Sequence, residues 1–371
     1  MSSEPLTKKR LAMLMAGLFI LVALSWYRLS QSPSGAPPGS VYLNGETMGT
    51  TYMVKVHGSG STRGLQSEID DRLDGINALM STYDPDSELS RFNRWQADVP
   101  FPLSPDTYEV FALALKISEE TDGRFDITVG PAVNAYGFGP TLDIDLPSDS
   151  ELNAMRAYVG YQHLRIESAD GTITKDHAKV YCDLSAIAKG YAVDAVAALL
   201  EERGIQNYFV EIGGEVRARG NNDKGNFFWN VGIEKPVPDV RAIQSQVALL
   251  NQSLATSGNY RNFSEIDGVQ ISHTIDPLTL KPVAHKLLSS SVMRDDCAHA
   301  DAYATALMVM GMEEGLDFAE RNDLRIMLLV AGSDGDIDTV YSSAWENDFW
   351  TVQDIIGGSI DRERGIEDTL E

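Results

Sequence analysis

Residues 182–194, CDLSAIAKGYAVD, set a carboxylate, a hydroxyl, a lysine and a glycine into one otherwise apolar helical pattern. Ala192, Val193, Val196, Leu199 and Leu200 recur at helical spacing, Ser185 occupies a natural N-cap position, and Gly204 supplies a C-terminal stop. The pattern predicts an amphipathic helix of about five turns. Its first turn leaves unpaired backbone N–H groups and the positive end of the helix dipole, a ready seat for phosphate oxygens. Lys189 would reinforce that charge. Asp183 has the opposite sign, and beside phosphate it makes sense only by binding a cation or accepting a hydrogen bond from the ligand. Gly190, worth about 1 kcal/mol less than alanine inside a helix, implies that something packs closely against it. Taken alone, the stretch reads equally well as an ordinary capped helix with a surface lysine.

A chain of 371 residues can bury a substantial core. Its irregular order of helical and strand patterns favours an α+β fold with a single large mixed domain. The net charge of −24 argues against nucleic acid as a partner, because phosphate backbones are bound by basic surfaces. Cys182 and Cys297 are too few for a disulfide framework or a CxxC metal site, and their apolar contexts favour buried free thiols.

Lys8, Lys9 and Arg10 precede the apolar run of residues 11–26, LAMLMAGLFILVALSW. No clear cleavage site follows, so residues 1–31 read as a retained signal anchor with the basic N-terminus on the cytoplasmic side. Residues 32–40, SPSGAPPGS from Ser32, read as a flexible linker. The body is expected from 41 to 355, followed by an acidic tail at 356–371. Within it, residues 48–56 alternate like a strand after a glycine turn. Residues 65–80 and 108–121 read as helices, 81–93 as a turn-rich segment and 125–129 as a short strand. Residues 208–212 and 215–218 form strands around Gly213-Gly214, and 229–233, 246–250 and 325–330 are further strands. Thr256, Ser257, Gly258 and Arg261 read as a polar loop.

Residues 297–311, CAHADAYATALMVMG, are apolar on nearly every side and mark a buried helix. Asp301 and Thr305, four apart, share one face. A carboxylate there must pair with a cation or take up a proton. Either an ion pair or a hard metal ion answers that need, and magnesium suits a set of oxygen ligands completed by water and phosphate. His273, flanked by hydroxyls in SHTIDP, is a solvated loop residue or a general base.

Together these segments resemble the FAD:protein FMN transferase family, also called the ApbE family. The resemblance rests on MGTTY at Met48, STYDPDSELSRFN at Ser81, GRFDITVGP at Gly123 and DLSAIAKGYAVD at Asp183. It continues with IGGE at Ile212, SLATSGNYRNF at Ser253, SHTIDP at Ser272 and ADAYATAL at Ala300. It implies that Met48, Tyr83, Phe125, Asp126, Asp183, Lys189 and Thr274 line an FAD site, and that Asp301 and Thr305 hold Mg2+ with the backbone oxygen of Ala186. Such proteins move the FMN half of FAD onto a threonine hydroxyl of a target flavoprotein and release AMP, with His273 matching the candidate base. Acceptors would be exported flavoprotein domains, such as those of sodium-pumping NADH:quinone reductases, reached from the inner membrane on its periplasmic side. A Mg-dependent FAD pyrophosphatase and a non-catalytic membrane-tethered FAD-binding protein are the alternatives. Three departures stand out: no lipoprotein cysteine is present, Leu280 replaces a usual glycine, and Tyr136 replaces a common tryptophan.

Overall fold

Eight strands form one antiparallel sheet whose spatial order follows the chain: β1 (Ser40–Thr47), β2 (Thr50–His57), β3 (Tyr208–Ile212), β4 (Glu215–Arg219), β5 (Gln252–Gly258), β6 (Leu287–Arg294), β7 (Arg325–Ala331) and β8 (Ile337–Tyr341). A computed structural model describes residues 39–346, apart from 59, 141–145, 223, 225–227, 237–241, 260–262, 267–268 and 334. The apolar segment 1–31, nearly all of the linker, Arg261 and the acidic tail therefore lie outside the described residues. Among the described residues no helix is long and apolar enough to cross a membrane.

The sheet is buried on both faces, and the period-2 pattern of its strands divides two cores. Tyr52, Val54, Val56, Tyr208, Val210, Ile212, Ile326 and Leu328 face one core, while Phe209, Val216, Leu254, Met327 and Leu329 face the other. The second core is roofed by the hairpin Trp229–Glu234/Ile243–Leu249 and by Trp345. The first carries helices supplied by the long insertions between strands: α1 (Leu65–Met80), α2 (Pro105–Glu120), α3 (Ala188–Glu202) and α4 (Cys297–Arg321). The α+β reading holds. α1 has the expected bounds, with Leu65, Ile69, Leu73 and Ile76 on its buried stripe. α2 begins earlier than its apolar pattern suggests, because Ser104 caps it and Pro105 fits its first turn.

Four local readings change. Ser185 is not the N-cap of α3. Its hydroxyl turns back to Asp183, and the helix begins at Ala188 after a turn at 185–187. At the other end Gly204 does terminate it, with φ +75°, Gly204 N–H donating to Glu201 and Ile205 N–H to Leu200, the two bonds of a Schellman motif. Residues 125–129 are not a strand. Asp126 accepts the N–H and hydroxyl of Thr128 (2.8 and 2.7 Å), which winds Ile127–Val129 into a 3₁₀ turn continued by the helix Gly130–Ala135. The turn-rich segment 81–93 contains a Ser87-capped helix, Glu88–Asn93. Thr256, Ser257 and Gly258 are not a loop but the end of β5 in the middle of the sheet, paired with Ser291, Ser290 and Ser289 of β6. Their hydroxyls are satisfied internally, so polarity here does not mean exposure: Thr256 Oγ1 bonds Ser291 Oγ at 2.8 Å.

α4 is broken at Gly311 (φ +78°, ψ −175°), where His285 Nε2 bonds the carbonyl of Met308 at 2.7 Å. Cys182 and Cys297 are buried, unbridged thiols.

Candidate active site

α3 and α4 meet so closely that a Cβ on Gly190 would lie 2.4 Å from the Cys297 carbonyl oxygen and 2.8 Å from Asp301 Cβ. The packing that Gly190 implied is thus the seat of the Asp301 carboxylate. Asp301 Oδ2 accepts the Gly190 N–H at 3.0 Å, one of the donors that the first turn of α3 leaves without a helical partner. The relation is reciprocal. Asp194, one turn along α3, accepts the N–H groups of Cys297 (2.8 Å) and Ala298 (2.9 Å) at the start of α4. Each helix therefore caps the other with an aspartate, and a carboxylate at a helix N-terminus is favoured by the dipole.

The two aspartates differ in their counter-ions. Asp194 Oδ1 also accepts Arg217 at 2.6 Å, a complete pair. Asp301, 2 % exposed, interacts with Lys189, but the Lys189 ammonium is bound to Glu215 Oε1 at 2.5 Å. Glu215 is equally buried, and its Oε2 has no hydrogen-bond partner. Burial pulls the Lys189 ammonium pKa down, but Asp301 and Glu215 outweigh it and leave the pKa above the ordinary lysine value. Burial raises the Glu215 pKa, with Lys189 opposing and Asp301 adding to the shift. Among the described residues two buried carboxylates thus face one ammonium, and burial raises the Glu215 pKa to about 7. Thr305, one turn after Asp301, places its hydroxyl 3.1 Å from Ser257 Oγ and not on its own backbone. Ala186 lies in the turn that leads into α3. Among the described residues no three His, Cys, Asp or Glu side chains cluster as a metal site. A cation here would take carboxylate, hydroxyl and backbone oxygens, completed by water or phosphate, and the two carboxylates and all-oxygen donors fit a hard ion such as Mg2+.

Asp183 leads into the same turn. Its Oδ1 accepts the Ser185 N–H (2.8 Å) and hydroxyl (2.5 Å), and its own N–H donates to Ile127 O at 2.8 Å. Asn93 holds the segment before it with both ends of its amide, accepting Cys182 N–H (2.7 Å) and donating to Cys182 O (2.9 Å). Lys175, fully buried, donates to the carbonyls of Asn93 (2.7 Å) and Val180 (3.0 Å) and fixes both partners. The bond to Ile127 ties Asp183 to the Phe125–Asp126 loop. Phe125 is core, and Asp126 uses its second oxygen on Tyr161 N–H (2.6 Å), so the carboxylate supports the loop. Burial raises the Asp126 pKa, against its hydrogen bonds to Thr128.

His273 and Thr274 approach this loop from the insertion between β5 and β6. The His273 ring meets Phe138 edge-on at 6.3 Å, and Thr274 is buried with its carbonyl bound to Val283 N–H at 3.0 Å. Beside them Asp126, Gly123, Tyr161, Pro277 and Leu278 border a cleft of about 200 Å³. From the other side comes the β1–β2 hairpin, with Met48 (φ +50°) and Gly49 (φ +71°) in a two-residue turn of the kind that suits twisted strands. A methionine in the left-handed region is strained by about 1–2 kcal/mol. The turn is tied to the Gly213-Gly214 turn by Gly213 N–H donating to Thr51 O at 3.1 Å. Tyr83, 67 % exposed, follows α1 with its N–H on Ser81 Oγ at 3.1 Å. Asp301 and Lys189 thus meet at the start of α3, with Thr305 one turn along α4 from Asp301 and Ala186 in the turn before α3. Asp183, Asp126 and Phe125 join the start of α3 through the backbone bond from Asp183 to Ile127.

Burial pushes the thiols of Cys182 and Cys297 up, which removes both as nucleophiles at neutral pH. Sequence reasoning missed Glu215 and Asn93. Glu215 follows Gly213-Gly214 in a strand that also carries Arg217 and Arg219, and Asn93 ends a recognised motif; neither pattern names a partner.

The ApbE family model matches residues 48–328, which span α1 to α4 and all of these groups. The chain belongs to the ApbE family. It is similar to an FAD:protein FMN transferase of Vibrio cholerae, 46% identical over 303 residues, covering 81% of this chain and 90% of that one. It is also similar to an FAD:protein FMN transferase of Escherichia coli, 38% identical over 333 residues, covering 88% and 93%. Among solved structures, the flavin transferase ApbE from Vibrio cholerae superposes with a TM-score of 0.76 at 44% identity, covering 83% of this chain and 98% of that one. The Pseudomonas stutzeri flavinyl transferase ApbE in its apo form gives a TM-score of 0.76 at 37% identity, covering 83% and 96%.

Proposed function

We propose that this ApbE-family chain transfers the FMN half of FAD to a threonine hydroxyl of an acceptor flavoprotein, in a reaction that needs Mg2+. The observation that carries the reading is the buried group of Asp301, Glu215 and Lys189 at the start of α3, two carboxylates facing one ammonium among the described residues. Cation and phosphate are both accommodated there, and a pyrophosphate with its metal presents both.

Asp301, Thr305 and the backbone oxygen of Ala186 would hold Mg2+, which when bound neutralises pyrophosphate charge and eases departure of AMP. Lys189 orients the phosphates from the start of α3. Asp183, Met48, Tyr83, Phe125, Asp126 and Thr274 form the surrounding FAD site, with the strained Met48 turn as one wall. His273 takes the proton of the threonine hydroxyl as its oxygen bonds the FMN phosphorus; the pyrophosphate bond breaks and AMP leaves with the bridging oxygen. The acceptors would be exported flavoprotein domains, such as those of sodium-pumping NADH:quinone reductases. Residues 1–31 would anchor the enzyme in the inner membrane, facing the periplasm.

The test is to incubate residues 40–371 with FAD, Mg2+ and an acceptor domain bearing a candidate threonine, then weigh the intact acceptor. A mass gain of one FMN, abolished by chelation and by removal of the threonine, is expected. Accumulation of free FMN and AMP with an unmodified acceptor would make the protein a pyrophosphatase, and intact FAD would make it a flavin binder.

A further inference from the structure

The Gly213-Gly214 turn sits directly on Lys189: a Cβ on Gly213 would lie 3.4 Å from Lys189 Cδ and 2.8 Å from Thr50 Cγ2. The stem of the lysine is therefore confined under the turn, and Glu215, the residue that follows the turn, holds the ammonium with Oε1. Glu215 Oε2 stays buried and unpartnered. A carboxylate retained solely as a structural partner for one lysine would be expected to have both oxygens satisfied, because a buried unpaired oxygen is destabilising. Glutamine would serve the fold as well. What glutamine lacks is the negative charge that competes with Asp301 for Lys189.

We propose that Glu215 is a positioning residue of the metal site: it draws the Lys189 ammonium away from Asp301 and so keeps the Asp301 carboxylate available to a divalent cation. This rests on the reading of Asp301 as a metal ligand. With Glu215 in place, Lys189 is held to one carboxylate and is hydrogen-bonded to Glu215. Without its charge, Lys189 and Asp301 form a neutral pair, and a cation must displace an ammonium to bind. Both charges converge on the start of α3, so the arrangement also leaves Lys189 oriented for a phosphate oxygen once metal is bound.

The experiment measures Mn2+ binding to the folded apoprotein by electron paramagnetic resonance, with no FAD and no turnover. Glu215→Gln is expected to weaken Mn2+ binding by about tenfold or more, from the strength of a charge pair at contact in a partly screened site. Lys189→Met should bind Mn2+ at least as tightly as the native chain. The Glu215→Gln/Lys189→Met double variant should return to near the native affinity, because the competing ammonium is gone. That recovery separates positioning from ligation, and it also serves as the folding control. Native affinity in Glu215→Gln, or a double variant as weak as Glu215→Gln alone, would overturn the proposal, the second result making Glu215 a ligand itself. Mn2+ binding unaffected by Asp301→Asn would overturn the metal reading and this inference with it.

Discussion

Gly190→Ala tests whether fold and site share the same contact. On an exposed helix the change would be stabilising by about 1 kcal/mol, since alanine is the better helix former. Here the new methyl would sit 2.4 Å from the Cys297 carbonyl oxygen and 2.8 Å from Asp301 Cβ, both backbone or backbone-proximal atoms that cannot rotate away. Ordinary contact is about 3.5 Å, so α3 and α4 must separate by about 1 Å. Overpacking of that kind costs about 1–3 kcal/mol, and stretching the Gly190 N–H bond to the Asp301 carboxylate adds about 1.5–3 kcal/mol. After the propensity gain, a net destabilisation of about 2–4 kcal/mol follows. In urea, with a slope of about 2–3 kcal/mol per molar, the unfolding midpoint should fall by roughly 1 M. Displacement of Asp301 by about 1 Å should also lower the transfer rate on the order of 100-fold. Urea titration and intact-mass kinetics measure the two effects. A midpoint equal to or above that of the native chain, with unchanged transfer, would refute both the close approach and its role in placing Asp301.

His273→Ala should slow acceptor modification by about 10²–10⁴-fold while leaving the affinity for FAD unchanged; single-turnover rates and equilibrium titration separate the two, and an unaltered rate would remove the base role. Leu280→Gly relieves a left-handed backbone (φ +59°) worth about 1–2 kcal/mol but empties a buried site against Ala132, Tyr136, Leu152 and Ile275. Its net effect should be a loss of about 1–3 kcal/mol by urea unfolding, and a more stable variant would show that strain dominates. The Arg72 guanidinium, against an opposing effect of burial and with Tyr191 adding its hydroxyl, holds the Asp106 carboxyl below the ordinary aspartate range. A carboxyl depressed in the folded state contributes stability that is present above its unfolded pKa of about 3.9 and is lost as pH falls through the folded value. Asp106→Asn should accordingly lower Tm at pH 7 and make no difference near pH 2, as scanning calorimetry would record.

Helices with one apolar stripe were the most legible elements, because burial of Leu65, Ile69, Leu73 and Ile76 requires nothing beyond their spacing. Strands β3 and β7 were legible as short apolar runs buried on both faces, and β4 by its alternation at period 2. What misled was polarity. Thr256 and Ser257 look like loop residues, yet they lie in mid-sheet because Ser291 and Thr305 supply partners from 35 and 48 residues away. Ser185 looks like a cap, yet Asp183, two residues earlier, captures its hydroxyl first. In each case a side-chain hydrogen bond decided the conformation, and hydrophobic periodicity does not see such a bond. The site shows the same division. Asp301 and Gly190 each carried a local anomaly that marked them, a charge in an apolar helix and a glycine in a regular one. Glu215 carried its anomaly only in three dimensions, as a buried oxygen without a partner.

The reciprocal caps of α3 and α4 offer a separation of structural from functional carboxylates within one motif. Asp194 and Asp301 occupy equivalent positions, each accepting N–H groups from the first turn of the other helix. Asp194 is neutralised by Arg217, whereas Asp301 shares with Glu215 the one cation it meets among the described residues. Asp194→Asn leaves Arg217 without its charge partner and weakens the start of α4, a loss of about 2–4 kcal/mol. Asp301→Asn removes one of the two carboxylates facing Lys189, lets Lys189 pair with Glu215 alone, and keeps an amide oxygen for the Gly190 N–H, so stability should stay within about 1 kcal/mol of the native chain. Metal binding should respond the opposite way, retained in folded Asp194→Asn and lost in Asp301→Asn. Urea unfolding and Mn2+ titration on the same two variants decide the matter. Equal destabilisation with metal binding intact in both would reduce Asp301 to a second structural cap, because nothing else distinguishes two carboxylates placed so symmetrically across one helix contact.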